Sequence, residues 1–203
     1  MRVLFAILAT FVLAQCASGG DERFRVGESP RALVVIGIAE ASGNTEADYS
    51  MLWRRIGPDG RFEAIDDNNS IEANTNVGDT VRVRGIPGEF KIVEIDPGTY
   101  ALDSVFAVIH DRVNYIANGV VTGPLRPGFE VRPGEAVYIG IWQLTLEETN
   151  AVAHMWRQDE NDLRAVLNQA HPTYGGVRVR EVGTRVVQCS PHRRNAVSQR
   201  QAC

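Results

Sequence analysis

The chain is poor in several features that announce a function. Lys91 is its single lysine among 21 Lys and Arg side chains, and 25 Asp and Glu leave a formal net charge of −4 at pH 7. A nucleic-acid binder carries a basic stripe on a basic domain, so a nucleic-acid partner is not expected. The preference for arginine over lysine suggests a GC-rich genome. Of the four histidines, His110, His154, His171 and His192, none has a second His or Cys at metal-ligand spacing. No metal and no cofactor is therefore expected. Gly-x-Ser-x-Gly is absent, and Ser104 and Ser190 lack the surroundings of a nucleophile. Gly85, Gly88 and Gly98 lie beside prolines in turns and form no phosphate-binding loop. There is no internal repeat of fixed period. No apolar run reaches the roughly 20 residues a helix needs to cross a bilayer. No catalytic residue is nominated.

What is present begins at the first residue. Met1-Arg2 is followed by Val3 to Ala14 without a charge, and then by Gln15-Cys16. A charged start, a short apolar run and a small-residue exit are the parts of a secretory signal. A buried N-terminal helix is the alternative, but it would show polar residues along one face, and this stretch shows almost none. Residues 1–15 are read as a signal peptide. Leu13-Ala14-Gln15-Cys16 resembles a bacterial lipobox, with Gln15 where that motif normally has Gly, Ala or Ser. The resemblance implies that Cys16 becomes the first residue, carries a diacylglyceryl group and is acylated on its amine. Acyl chains on one cysteine supply two or three membrane signals, enough for stable anchoring. Ala-Ser-Gly-Gly-Asp-Glu follows, small and polar as a tether should be, so residues 16–30 are read as lipidated cysteine and tether. By the family's sorting rule, Ala17 in place of Asp implies the outer membrane, facing the periplasm. The alternative is ordinary cleavage after Cys16 or Gly19, which gives a soluble periplasmic protein.

Two further cysteines, Cys189 and Cys203, are expected to pair in an oxidising compartment. The alternative is two free thiols on a frayed end. The bridge would close a loop over Ser190 to Ala202, contributing about 3 kcal/mol at most. Residues 190–203 form a basic tail in which Arg193, Arg194 and Arg200 have no acidic neighbour. Such a tail can touch anionic lipid or polysaccharide, though a solvated terminus is the simpler reading.

Between them, residues 31–189 read as one β-rich domain. Ala32 to Ala39 is a β-branched apolar run, as in a buried strand. Tyr49 to Ile56 alternates, Gly57-Pro58-Asp59-Gly60 turns the chain, and Arg61 to Ile65 is expected to pair back. Asp66 to Asp79 reads as a polar loop. Thr80 to Arg84, Phe90 to Ile95, Thr99 to Leu102 and Val105 to Ile109 read as strands, with a bulge expected at Ile92-Val93. Ala136 to Leu146 is a strong strand, with Ala151 to Arg157 as its hairpin partner. Leu163, Val166, Leu167 and Ala170 give a helix one apolar face. Asp159 or Asn161 can cap that helix, and Pro172 ends it. Val177 to Val187 is one more strand or a pair turning at Gly183. The expected fold is mainly β: a sandwich or partly open barrel with a single α-helix in the C-terminal half.

Ile95-Asp-Pro-Gly-Thr-Tyr100, the turn Arg132-Pro-Gly-Glu135 and the strand Val137-Tyr-Ile-Gly140 together resemble uncharacterised bacterial lipoproteins of the DUF2846 kind. The resemblance spans roughly residues 32 to 142. It implies a small β-domain of the cell envelope with no assigned activity, and it supplies no catalytic residue.

Several residue sets have a functional reading beside a plainer one. His110-Asp111 would make half of an acid–base pair, or an ordinary strand end. Asp66, Asn68, Ser70 and Glu72 alternate as at the start of a calcium loop, but Ile71 stands where glycine belongs and Val77 where glutamate belongs. Trp53, Trp142 and Trp156 would stack on sugar rings if exposed and aligned; core packing is the simpler role. Asp103, Asp111 and Glu130 are the carboxylates for a hydrolase, which needs two facing each other across a groove. The expected function is a non-catalytic, membrane-tethered binding or scaffold domain of the envelope with a protein or polysaccharide partner. A carbohydrate or peptidoglycan module is the alternative, and an envelope hydrolase ranks third. The sequence names neither a ligand nor an oligomeric state.

Overall fold

A computed structural model describes residues 23–41, 47–76, 78–109, 115–120, 125–148, 150–170, 176–190, 192–193 and 201–202, with Pro172 and Tyr174. Among the described residues thirteen strands and one helix follow in order. The chain folds as a β-sandwich of two sheets, not a closed barrel, with one helix on an outer face.

The first sheet has the order β10 (Arg180–Glu181), β8 (Ala136–Glu147), β1 (Ala32–Glu40), β4 (Glu89–Ile95), with β9 (Asn150–Arg157) also paired to β8. The second has the order β11 (Arg185–Gln188), β7 (Leu125–Val131), β5 (Gly98–Ile109), β2 (Ala47–Arg55), β3 (Ser70–Asn74), with β6 (Tyr115–Val120) also paired to β5. β12 (His192–Arg193) and β13 (Gln201–Ala202) form a separate antiparallel pair. β1 lies between β8, to which it is parallel, and β4. Its Ala32, Val34, Ile36 and Ile38 face the inter-sheet core, while Val35 and Ala39 pack under the helix. A strand covered on both faces has no polar side, which is why its sequence is an unbroken apolar run.

The helix α1 (Glu160–Gln169) is the one the periodicity predicts. Leu163 and Val166 pack on Val35, Phe90, Tyr138 and Ile141. Asp159 caps it, its side chain accepting from the N–H groups of Asn161 and Asp162, and these two bonds hold the Asp159 carboxyl below its ordinary value near 3.8. A depressed folded-state pKa stabilises above the unfolded value and loses that contribution as pH falls through the folded one. Asp159→Ala should therefore melt at a lower temperature than the parent at neutral pH, the difference closing as pH drops below 3.8. Calorimetry across that range checks it, and a difference independent of pH would refute the assignment.

Several strand readings need correction. Arg61 to Ile65 pairs back only over its first residues: Gly57 N–H donates to the Arg61 carbonyl, Glu63 N–H donates to the Arg55 carbonyl, and Ile56 and Phe62 bridge, while the strand partners of β2 are β5 and β3, the latter inside the segment read as a loop. Thr80 to Arg84 is reduced to one bridge between Val81 and Phe90. Its polar residues serve Glu89 instead, whose buried carboxylate accepts from Asn76 N–H, Thr80 Oγ1 and Arg82 Nη2. β4 pairs with β1 without a slip, so there is no bulge at Ile92-Val93. Thr99 to Leu102 and Val105 to Ile109 are one strand, β5, interrupted by a bulge: Leu52 pairs with Ser104 and Trp53 with Leu102, which leaves Asp103 as the extra residue. The bulge flips the face parity, so Tyr100 and Leu102 point inward before it and Val105 and Ala107 after it. β8 does the same at Gly140, whose φ is +87°: Val137 and Ile139 face the inter-sheet core before it, Trp142 and Leu144 after it. β10 and β11 do not pair with each other; they belong to different sheets.

Candidate functional sites

Two of the three tryptophans are core. Trp53 and Trp142 are 0% and 2% exposed and meet edge to face, centroids 5.1 Å apart. Trp53 also tilts against Phe129, which stacks on Tyr100. The four rings form a ladder between the sheets. Trp156 alone is exposed, at 41%, so the aligned sugar-stacking platform is not formed.

Tyr100 ends the ladder with its hydroxyl, which donates to the Asp96 carbonyl at 2.7 Å, four residues upstream. This is the device of the tyrosine corner in Greek-key sandwiches. Burial pushes its pKa up, partly offset by the nearby Arg55 guanidinium. The motif Asp-Pro-Gly-Thr-Tyr is thus a structural clamp. Around it Arg55 binds Glu63 at 2.6 Å, which raises the guanidinium pKa, the Glu63 hydrogen bond being the main cause.

Two of the three carboxylates weighed for hydrolysis are each taken by a different arginine. Asp103 pairs with Arg54 at 3.1 Å and Glu130 with Arg185 at 2.7 Å; Asp111 lies outside the described residues. Asp103 belongs to a tight group on the outer face of the second sheet. Arg54 and Arg126 stand over the Phe62 ring, at 5.1 and 5.5 Å from its centroid. Arg126 is only 2% exposed and donates to the carbonyls of Leu102 and Asp103, at 3.0 and 2.9 Å. Burial lowers its pKa, with Asp103 acting in the opposite sense. A buried guanidinium bonded to two main-chain carbonyls at a bulge is a structural rivet. The periodic pattern gave no sign of it, because the bulge that creates the demand is itself hidden in the sequence.

No family model, curated protein or solved structure matches this chain. The remaining sites therefore rest on geometry alone. The calcium-loop reading fails locally. Asp66 Oδ1 accepts from Asn68 N–H at 2.8 Å, Asn68 Oδ1 accepts from Arg31, and Ser70 and Glu72 belong to β3. No group of three potential metal ligands occurs among the described residues. His154 is exposed on β9; His110, His171, Cys16 and Cys203 lie outside the described residues, as does Arg194 or Arg200 in the tail. Cys189 is buried and disulfide-bonded.

Open grooves indent the surface of the described residues. One, about 620 Å³, is lined by Arg23, Phe24, Arg25, Val26, Val177 and Arg178 among others, where the tether joins the domain. A second, about 290 Å³, holds the pairs Arg185–Glu130 and Arg180–Glu135 beside Arg132. A third, about 280 Å³, surrounds Glu89 and Asn76. Sequence reasoning gave none of the arginines around the first two a role in a site, Arg132 being read only as a turn residue. They come from distant segments, Arg23 and Arg178 being far apart in the chain. Separately, β11 is an edge strand of its sheet, with Val186 68% exposed and Leu125 on β7 61% exposed.

Proposed function

We propose that this chain is an exported bacterial envelope lipoprotein, anchored through Cys16, whose β-sandwich binds a partner without catalysing a reaction. The observation that carries export is the disulfide at Cys189. Such bonds form and persist outside the cytoplasm, and this one is independent of the leader. The partner we assign to Cys189 is Cys203. Pairing of His192 with Ala202 returns the chain end towards Cys189, and a bridge there would pin the basic tail. Supporting the non-catalytic reading, Asp103 and Glu130 are each occupied by a different arginine. The exposed Val186 and Leu125 beside the β11 edge favour an envelope protein partner, since an uncovered edge is a template for another strand. Of the three tryptophans, Trp156 is the one exposed to offer a polysaccharide a stacking surface. Placement in the outer membrane, facing the periplasm, follows the sorting residue Ala17; a soluble periplasmic protein is the alternative.

Mass spectrometry of the mature N-terminus tests the anchor. The expected species begins at Cys16 and carries diacylglyceryl and an amide-linked acyl chain. Cys16→Ala should abolish the lipid-modified species, while the Cys189 disulfide, read by thiol alkylation, stays intact. An unmodified Cys16 thiol in membrane-purified protein would overturn the lipoprotein reading and leave the soluble one.

A further inference from the structure

We infer that the end of the sandwich where the tether enters is a lipid-docking face, using Arg23, Arg178 and Arg132 to hold anionic phospholipid headgroups. The argument starts with chain length. Arg23 is seven residues beyond Cys16, a reach of about 25 Å when fully extended. Under the anchored reading on which this inference rests, the groove at Arg23 cannot stray far from the bilayer surface.

The chemistry of the face fits that neighbour. Phe24 is 4% exposed and packs on Leu33 and Ala136, fixing the flanking residues to the body. Arg23 and Arg25 on either side are exposed, as is Arg178 across the groove. The next turn brings Val26, 49% exposed, to the surface, and its Gly27 N–H donates to the Gly134 carbonyl at 2.9 Å. That bond sets the Arg132 turn against the Val26 turn. Arg25 is engaged by Glu28. Among the described residues no acid lies within ion-pair distance of Arg23, Arg132 or Arg178, whereas Arg180 and Arg185 nearby are paired. Asp21 and Glu22 precede Arg23 in the tether. Unpaired guanidinium groups around an exposed apolar residue match the interfacial zone, where anionic headgroups meet the first methylenes.

The test uses the full chain with Cys16→Ala, so that no acyl chain contributes, and vesicles of phosphatidylcholine with or without phosphatidylglycerol. The ratio of partitioning onto anionic over neutral vesicles is read by co-sedimentation. A retained leader, whose Arg2 also favours anionic lipid, is common to every variant and cancels when their ratios are compared. Each guanidinium near an anionic surface strengthens partitioning about fivefold, or on the order of a hundredfold for three. The Arg23→Gln, Arg132→Gln, Arg178→Gln triple variant should lose most of that preference. A second triple variant, Arg61→Gln, Arg84→Gln, Arg164→Gln, removes equal charge elsewhere and should keep it. High salt should erase the preference in the parent. Equal loss in both triple variants, or no preference in the parent, overturns the inference. So does groove-dependent binding of dextran sulfate without vesicle preference, which would assign the face to a soluble polyanion. Because Cys16 is absent from every arm, failure here is distinct from failure of the anchor, which the N-terminal mass reads separately.

Discussion

Replacing Trp53 with alanine is expected to lower stability by about 4 kcal/mol and the melting temperature by about 8–16 °C. Trp53 is fully buried between the sheets and touches both Trp142 and Phe129. Truncation removes the largest side chain of the core and breaks two ring contacts at once, and the rigid sheets on either side cannot collapse into the space. Trp53→Phe should cost less than half as much. The ring it restores fills most of the cavity, and the indole Nε1, which is buried with no hydrogen-bond partner among the described residues, is removed with its desolvation cost. Urea denaturation of the three proteins checks the order. Acrylamide quenching supplies an independent readout. Trp156 should be quenched readily, while Trp53 and Trp142 are protected. A Trp53→Ala variant within about 1 kcal/mol of the parent would mean that the ring ladder is not the core.

That ladder marks the line between what the sequence reveals and what it hides. The apolar run at Ala32 and the face of α1 were legible because each keeps one pattern along its length. β5 and β8 do not. Each carries one extra residue, Asp103 and Gly140, and each reverses its inward face there. A reader following alternation splits β5 in two. β3 was invisible for another reason: Ser70–Asn74 holds only Ile71 and Ala73 as buried apolar residues, among polar neighbours that mimic a loop. The Arg61 to Ile65 segment has the opposite fault, since its alternation suits a full strand but the pairing stops after the single bridge of Phe62 to Ile56, where the Phe62 ring meets the guanidinium groups of Arg54 and Arg126. Tyr100 was legible as a turn residue, but its hydroxyl contact to Asp96 was not. The groove of Arg23 and Arg178 is assembled by tertiary folding and has no local signature.

Arg126 gives the second large effect. Arg126→Met should lower stability by about 3 kcal/mol with an unchanged dependence on denaturant, read as a lower urea midpoint at constant slope. β7 pairs with β5 only as far as Gly128 opposite Ala101, and the bulge begins two residues further along β5. The carbonyls of Leu102 and Asp103 are met by the Arg126 guanidinium instead. Methionine keeps much of the apolar stem in place, so the loss isolates the hydrogen bonds from the packing. Burying the guanidinium is itself costly, which is why the net effect stays well below the gross strength of two charge-assisted bonds. Asp103→Asn should be much milder, at about 1 kcal/mol, because that side chain is partly exposed and its amide oxygen still accepts from Arg54. The ordering of the two variants is the diagnostic. If Asp103→Asn costs as much as Arg126→Met, the ion pair with Arg54 holds the bulge. If Arg126→Met alone is severe, the main-chain carbonyls are the reason an arginine is buried there.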